Sequence, residues 1–220
     1  MLKLGAYNIG KMYLGGTAIS KAYLGSNLVY SAAQPLPYDA EVEYLESTGT
    51  QYIDTGVTCG SADTTVFEFD QSYSALQSGR IIWGSNYGAN QGKDADNYYI
   101  CGLDRSDVIM QAGVVYHCKT QVAPDNAIKA YINGALFRDS RGSSPYTNPF
   151  YIFRLGGYDG YDGRPSHLRI HHLTVSINNV LVRDFIPVRK GGKGYMYDRV
   201  SKKLFGNKGT GDFVVGPDKQ

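Results

Sequence analysis

Ala127-Ile-Lys-Ala-Tyr-Ile-Asn-Gly-Ala-Leu-Phe137 alternates apolar and polar residues up to Asn133-Gly134, then turns into a second apolar run. A period of two places successive side chains on opposite faces of a strand. Asn-Gly supplies two neighbouring residues that tolerate positive φ, which a two-residue hairpin turn requires. The stretch therefore predicts two antiparallel strands joined by a tight turn. Asn178-Asn179, set between Leu173–Ile177 and Val180–Phe185, predicts a second hairpin by the same logic.

Outward from these hairpins the pattern is strand, turn, strand. Candidate strands are Val42–Leu45, Gln51–Thr55, Thr64–Phe69, Gly79–Trp83, Tyr98–Leu103, Val108–Met110, Val114–Val122 and Phe150–Leu155. They are rich in β-branched and aromatic residues and bounded by Gly, Asn, Asp and Ser. The polar stretch Ser85–Asn97 is expected to be a loop. In His167–Ile177 the apolar set is Leu168, Ile170, Leu173, Val175 and Ile177, so the period of two slips once. A β-bulge at His171-His172 would bring both halves back to one face. About a dozen short strands, with no helical apolar stripe, indicate an all-β two-sheet sandwich or jelly roll. Strand-like segments at both ends of the domain are expected to pair and close it.

The composition agrees. The chain has 220 residues with 27 Gly, 19 Tyr and one Trp, a profile of strands and tight turns. Its formal net charge of +2 argues against a phosphate-driven nucleic-acid binder. No run approaches a membrane span. Gly, Asn and Lys interrupt the apolar runs of MLKLGAYNIGKMYLGG, so a secretory signal is not expected. Cys59, Cys101 and Cys118 show no metal-ligand spacing and are expected to be free thiols.

Residues 1–33 repeat with a period of ten. Leu4-Gly5, Leu14-Gly15 and Leu24-Gly25 align, as do Ile9, Ile19 and Val29, and Tyr13 with Tyr23. Each copy reads as strand, Gly turn, strand. Three such copies make a very small core, so Leu4, Ile9, Tyr13, Leu14, Ile19, Tyr23, Leu24 and Val29 are expected to pack against copies from other chains, with a trimer the expected state. Residues 34–40, with Pro35 and Pro37, read as a linker, and residues 41–220 as the main domain.

Three segments of that domain resemble the concanavalin-like jelly rolls of the laminin-G type. They are Glu43-Tyr-Leu-Glu-Ser-Thr-Gly-Thr-Gln-Tyr-Ile-Asp-Thr55, the hairpin Lys129–Gly134, and Val182–Val188 followed by Gly194–Ser201 and Asn207–Phe213. The combination looks like a subgroup common in phages and prophages of gut bacteria, and the decapeptide repeat is similar to attachment segments of virion proteins. The resemblance implies a laminin-G/concanavalin-like sandwich in a virion appendage, a head or tail fibre. Its partners would be other virion proteins and a host-surface carbohydrate. The alternatives are a purely structural capsid or tail decoration, and a glycan-active enzyme.

The residues do not spell out catalysis. Glu68 and Asp70 share a strand face, but no third carboxylate continues the alternation that related glycanases show, and the plainer assignment is the solvent side of an edge strand. No Gly-x-Ser-x-Gly elbow is present. His117, His167, His171 and His172 offer no complete zinc set and are expected to be exposed. Tyr87, Tyr158 and Tyr161 sit in Gly/Asn/Asp loops, where a phenol offers sugar an apolar face and a hydroxyl. With Asn86, Asp159, Asp162 and Arg164 they form the expected ligand-binding set. No cofactor is expected; the one metal alternative is calcium at Asp159 and Asp162, each followed by Gly.

Overall fold

The structure is a computed structural model, and it describes residues 3–4, 7–8, 11–31, 35–58, 62–77, 81–85, 90–141, 149–156 and 167–220. Among these residues there is no helix. The chain divides into two compact units, Met1–Leu36 and Pro37–Gln220.

The first unit is three successive hairpins. They pair β1 (Lys3–Leu4) with β2 (Tyr7–Asn8), β3 (Met12–Leu14) with β4 (Thr17–Ile19), and β5 (Lys21–Leu24) with β6 (Asn27–Ser31). Gly15, Gly16 and Gly25 turn the second and third at φ of 57°, 85° and 62°. That left-handed backbone is what glycine permits at no steric cost. The Met12 amide donates to the Tyr30 hydroxyl at 3.1 Å, tying the second hairpin to the third.

The second unit is a two-layer sandwich, the all-β jelly-roll architecture expected from the sequence. Its strands run β7 (Ala40–Glu41), β8 (Leu45–Ser47), β9 (Ile53–Thr58), β10 (Thr65–Tyr73), β11 (Ile81–Ser85), β12 (Asn90–Lys93), β13 (Tyr98–Cys101), β14 (Asp104–Ile109) and β15 (Tyr116–Val122). They continue with β16 (Ala127–Ile132), β17 (Ala135–Arg141), β18 (Pro149–Ile152), β19 (Leu155–Gly156), β20 (Leu168–Ile177), β21 (Val180–Lys190), β22 (Lys193–Asp198), β23 (Lys203–Phe205) and β24 (Val214–Val215). The large sheet runs β17-β16-β15-β10-β20-β21-β22-β23, with β7 on β21 and β8 on both β20 and β24. The other layer holds β14-β13-β12-β11-β19 and the pair β18-β9.

The alternation read from the sequence builds the core between the layers. Phe67 of β10 stacks on Phe150 of β18 with centroids 3.8 Å apart, and Trp83 of β11 meets Phe69 edge-on at 4.6 Å. All four are buried, and each contributes roughly 2–3 kcal/mol by leaving water. Both predicted turns are present: Asn133 and Gly134 have φ of 49° and 82°, and Asn178 and Asn179 of 49° and 64°. The predicted bulge is present as well. Asp70 faces His172 and Gln71 faces Ile170, which leaves His171 as the extra residue of β20. The slip keeps Leu168, Ile170, Leu173 and Val175 all buried.

The two ends of the unit do pair. Val214 faces Glu46, Val215 faces Leu45, and Val42 bridges Asp218.

Three expectations are corrected. The stretch 85–97 is not all loop, because Asn90–Lys93 forms β12 between β11 and β13, with Gln91 bonded into the interior by Tyr99 and Thr120. Glu68 and Asp70 do not lie on an edge strand, because β10 is flanked by β15 and β20. The strand expected from Val42 starts only at Leu45, because Val42 is taken up by an isolated bridge to Asp218.

Candidate functional site

The large sheet has a second face, turned away from the core. On β15 the outward residues are His117, Lys119 and Gln121, and on β16 they are Lys129 and Tyr131, between inward Cys118, Thr120, Val122, Ile128, Ala130 and Ile132. Pairing register then aligns them. Glu68 faces Lys119, which faces Tyr131, so one row crosses three strands. Asp70 faces His117 in a neighbouring row.

This row floors a depression of about 380 Å³ lined by Glu68, His117, Lys119, Gln121, Tyr131 and the turn residue Gly134. Lys119 Nζ stands 2.6 Å from Glu68 Oε1, and His117 Nδ1 stands 2.8 Å from Asp70 Oδ1. These pairs are more than a third exposed, so their value lies in positioning rather than stability. Each holds its side chains upright on a strand while leaving bonding capacity unspent: a second oxygen on each carboxylate, further N–H groups on Lys119 and a second ring nitrogen on His117. Tyr131 adds a half-buried ring. The arrangement offers donors and acceptors around an aromatic surface on rigid backbone.

The other histidines are tied into polar nodes on the same sheet. His171 Nδ1 donates to the Glu43 carbonyl at 3.0 Å, and its Nε2 lies 2.8 Å from Ser72 Oγ. Burial pulls its pKa below the ordinary value. His172 Nε2 lies 2.8 Å from Asp184 Oδ1, and Arg199 Nε donates to Asp184 Oδ2 at 2.8 Å. Burial alone would raise Asp184, but the bonds from Arg199 and His172 hold it below its usual range. The buried Glu46 accepts from Ser74 Oγ at 2.6 Å, Arg169 Nε at 2.7 Å and His167 Nδ1 at 3.1 Å. Those bonds outweigh the burial that would raise it. Only His117 is exposed as the sequence suggested; His167, His171 and His172 are half-buried. No group of three or more His, Cys, Asp or Glu suited to a metal occurs among the described residues. Cys101 and Cys118 are buried thiols, and burial pushes both up; Cys59 lies outside the described residues.

The seven residues expected to bind ligand, Asn86, Tyr87, Tyr158, Asp159, Tyr161, Asp162 and Arg164, lie outside the described residues, and so does the calcium alternative. In the first unit Tyr13, Leu14, Tyr23 and Leu24 are 57–76% exposed, and Ile19 and Val29 are half-buried. Leu4 faces Tyr7 in the first hairpin; Ile9 lies outside the described residues. The depression itself was missed by the sequence reading. Its signal was present in Tyr131, an aromatic at an outward position of a strand whose inward set, Ile128, Ala130 and Ile132, was already complete.

No family model matches the chain, and no curated protein matches it. Among solved structures, a candidate carbohydrate-binding protein from Bacteroides ovatus superposes with a TM-score of 0.58 at 15% identity over 89% of this chain. The match covers 65% of that protein, so the chain spans about two thirds of its length. A pentraxin of Limulus polyphemus gives a TM-score of 0.48 at 11% identity, over 82% of this chain and 97% of that one. A Trypanosoma rangeli sialidase gives 0.43 at 14%, over 63% and 25%. At these identities the likeness is one of fold: the second unit is a β-sandwich of the kind found in the Bacteroides ovatus protein.

Proposed function

We propose that the sandwich binds carbohydrate in the Tyr131 depression. The proposal places the chain in a phage virion as a head or tail fibre protein that assembles as a trimer through its N-terminal hairpins. The observation that carries the binding is the row Glu68–Lys119–Tyr131. A sugar's vicinal hydroxyls match a carboxylate oxygen and an ammonium held side by side, and its C–H face matches a phenol ring. The shared fold with a candidate carbohydrate-binding protein supports the same class of ligand. Binding rather than catalysis is the reading taken, with Glu68 paired to Lys119 and Asp70 bonded to His117 as groups that fix the geometry of the row.

The virion role rests on the resemblance of the three signature segments and on the repeat. Several weak sites on one trimer would add through avidity. The test is a glycan array probed with the full chain and with Tyr131→Ala. Binding by the native chain and at least about a fivefold loss in the variant are expected, since stacking of a sugar on an aromatic ring is worth ~1 kcal/mol or more. An array on which the native chain binds nothing would sink the carbohydrate role. Absence of the chain from purified particles, read by mass spectrometry, would sink the virion role.

A further inference from the structure

We infer that the Tyr131 depression selects a 6-deoxyhexose, a pyranose with a methyl group on C5, and that Leu136 is the residue that reads the methyl. The inference rests on the proposed carbohydrate site and adds the class of sugar that the site takes.

Beside Tyr131 the large sheet ends in β17, its edge strand among the described residues. Leu136 of β17 is the register partner of Tyr131, so the two side chains leave the same outward face with Cβ atoms about 5 Å apart. The next two residues of β17 turn the other way. Phe137 meets Tyr99 in the interior with centroids 5.4 Å apart, and Arg138 donates to the Cys101 carbonyl at 2.7 Å. Leu136 is left 49% exposed. Gly134, in the turn that joins the two strands, lines the depression, and a Cβ built on it would meet nothing within 4 Å. The turn therefore leaves its side of the depression open.

Four strands now read in one line: Leu136, Tyr131, Lys119, Glu68. Lys119 Nζ and Glu68 Oε1, 2.6 Å apart, form a single polar point between their two strands. The leucine and the polar point thus lie on opposite sides of the phenol, roughly 12 Å apart at a strand spacing of about 4.8 Å.

A pyranose carries its groups in the same order. Its vicinal hydroxyls on C2 and C3 lie across the ring from C5. With those hydroxyls on the carboxylate and the ammonium, and ring C–H groups on Tyr131, the C5 substituent falls over Leu136. A methyl group there covers exposed leucine and gives up no hydrogen bond. A hydroxymethyl group brings a hydroxyl for which the leucine side chain has neither donor nor acceptor. The paired Lys119 and Glu68 carry no net charge between them, which suits a neutral sugar.

The test is an amide-resolved NMR titration of the full chain with three pairs of sugars that differ only at C6: L-fucose with L-galactose, L-rhamnose with L-mannose, and D-fucose with D-galactose. In at least one pair the deoxy sugar is expected to bind about fourfold more tightly, read at the amides around Tyr131, as one buried methyl group provides. Leu136→Asn changes an exposed position and should abolish that preference by weakening the deoxy sugar. Tyr131→Ala should weaken both members of the pair. Equal binding within every pair, or a preference that persists in Leu136→Asn, would overturn the inference and leave the Tyr131 site standing. Six sugars that all leave the amides around Tyr131 unmoved would overturn it as well, and the glycan array then judges the carbohydrate role by itself.

Discussion

Gly209 is pressed against the Thr50 carbonyl, so closely that a Cβ on Gly209 would stand 1.8 Å from that oxygen. Around this contact the two ends of the sandwich clasp. The Thr210 amide donates to the Thr50 carbonyl at 3.2 Å, Thr50 Oγ1 donates to the Thr210 carbonyl at 2.8 Å, and the Lys208 amide donates to the Tyr52 carbonyl at 2.8 Å. Backbone cannot yield as a flexible side chain can. Gly209→Ala is therefore expected to cost about 3 kcal/mol, the upper end of overpacking, and to lower the melting temperature by roughly 6–12 °C. Gly191→Ala, at φ 57° with open space around it, is the comparison and should cost about 1 kcal/mol. Equal losses in the two variants would contradict the clasp.

The bulge makes a sharper prediction about chain length. His171 is the extra residue, and removing it would leave Leu168, Ile170, Leu173 and Val175 in unbroken alternation. Deletion of His171 should lose only its bonds to Ser72 and Glu43, about 2 kcal/mol, and still fold. Deletion of Thr174 would move Val175 and Ile177 to the opposite face and should abolish folding. Circular dichroism and thermal melts of the two variants decide it; a His171 deletion that fails to fold while the Thr174 deletion folds would reverse the assignment.

The same comparison shows what the sequence makes legible. Periodicity and turn chemistry are local, so the Asn133-Gly134 and Asn178-Asn179 hairpins and the slip at His171 could be read directly. Pairing of the two ends is expected from their strand-like segments, but the loop contacts that lock it are not local. In the segments Glu43–Thr55 and Asn207–Phe213, which carry the family likeness, Gln51, Thr50 and Asn207 spend their polar atoms on the loops that close the fold. Strand order is not local at all. Glu68 between two phenylalanines reads equally well on an edge or in the middle of a sheet, and only the long-range pairing to β15 and β20 places it beside Lys119 and Tyr131.

Acid should weaken the sandwich in stages with assignable causes. His171 has a folded pKa below its ordinary 6.5, so its contribution is complete above 6.5 and is lost as the pH falls from there toward the folded value. Glu46 lies below its ordinary 4.5, so its contribution is complete above 4.5 and is lost only as the pH falls through the lower folded value. Asp184 follows below 3.8. Urea midpoints measured from roughly pH 8 to 3 should therefore decline first below 6.5 and again below 4.5. His171→Gln should remove the first decline. Glu46→Gln should cost about 2 kcal/mol at neutral pH, by loss of its bond to the Arg169 guanidinium, and should flatten the second. A second decline that survives in Glu46→Gln would assign it elsewhere.

The N-terminal hairpins predict an assembly. Leu14 and Leu24 hold the same place in successive repeats, each the last strand residue before its glycine turn, and they are 76% and 74% exposed. Two-stranded hairpins of this length are marginal alone in water. Burying a leucine contributes about 1.5–3 kcal/mol, so three chains that cover two leucines each would gain enough to hold the hairpins and one another. Light scattering of the full chain at micromolar concentration is expected to give a trimer, and Leu14→Asp/Leu24→Asp a monomer whose sandwich melts as before. The variant should then lose glycan-array signal through lost avidity while each site keeps its own affinity in solution. A native chain that scatters as a monomer would remove the trimer, and with it the avidity that lets weak sites serve attachment.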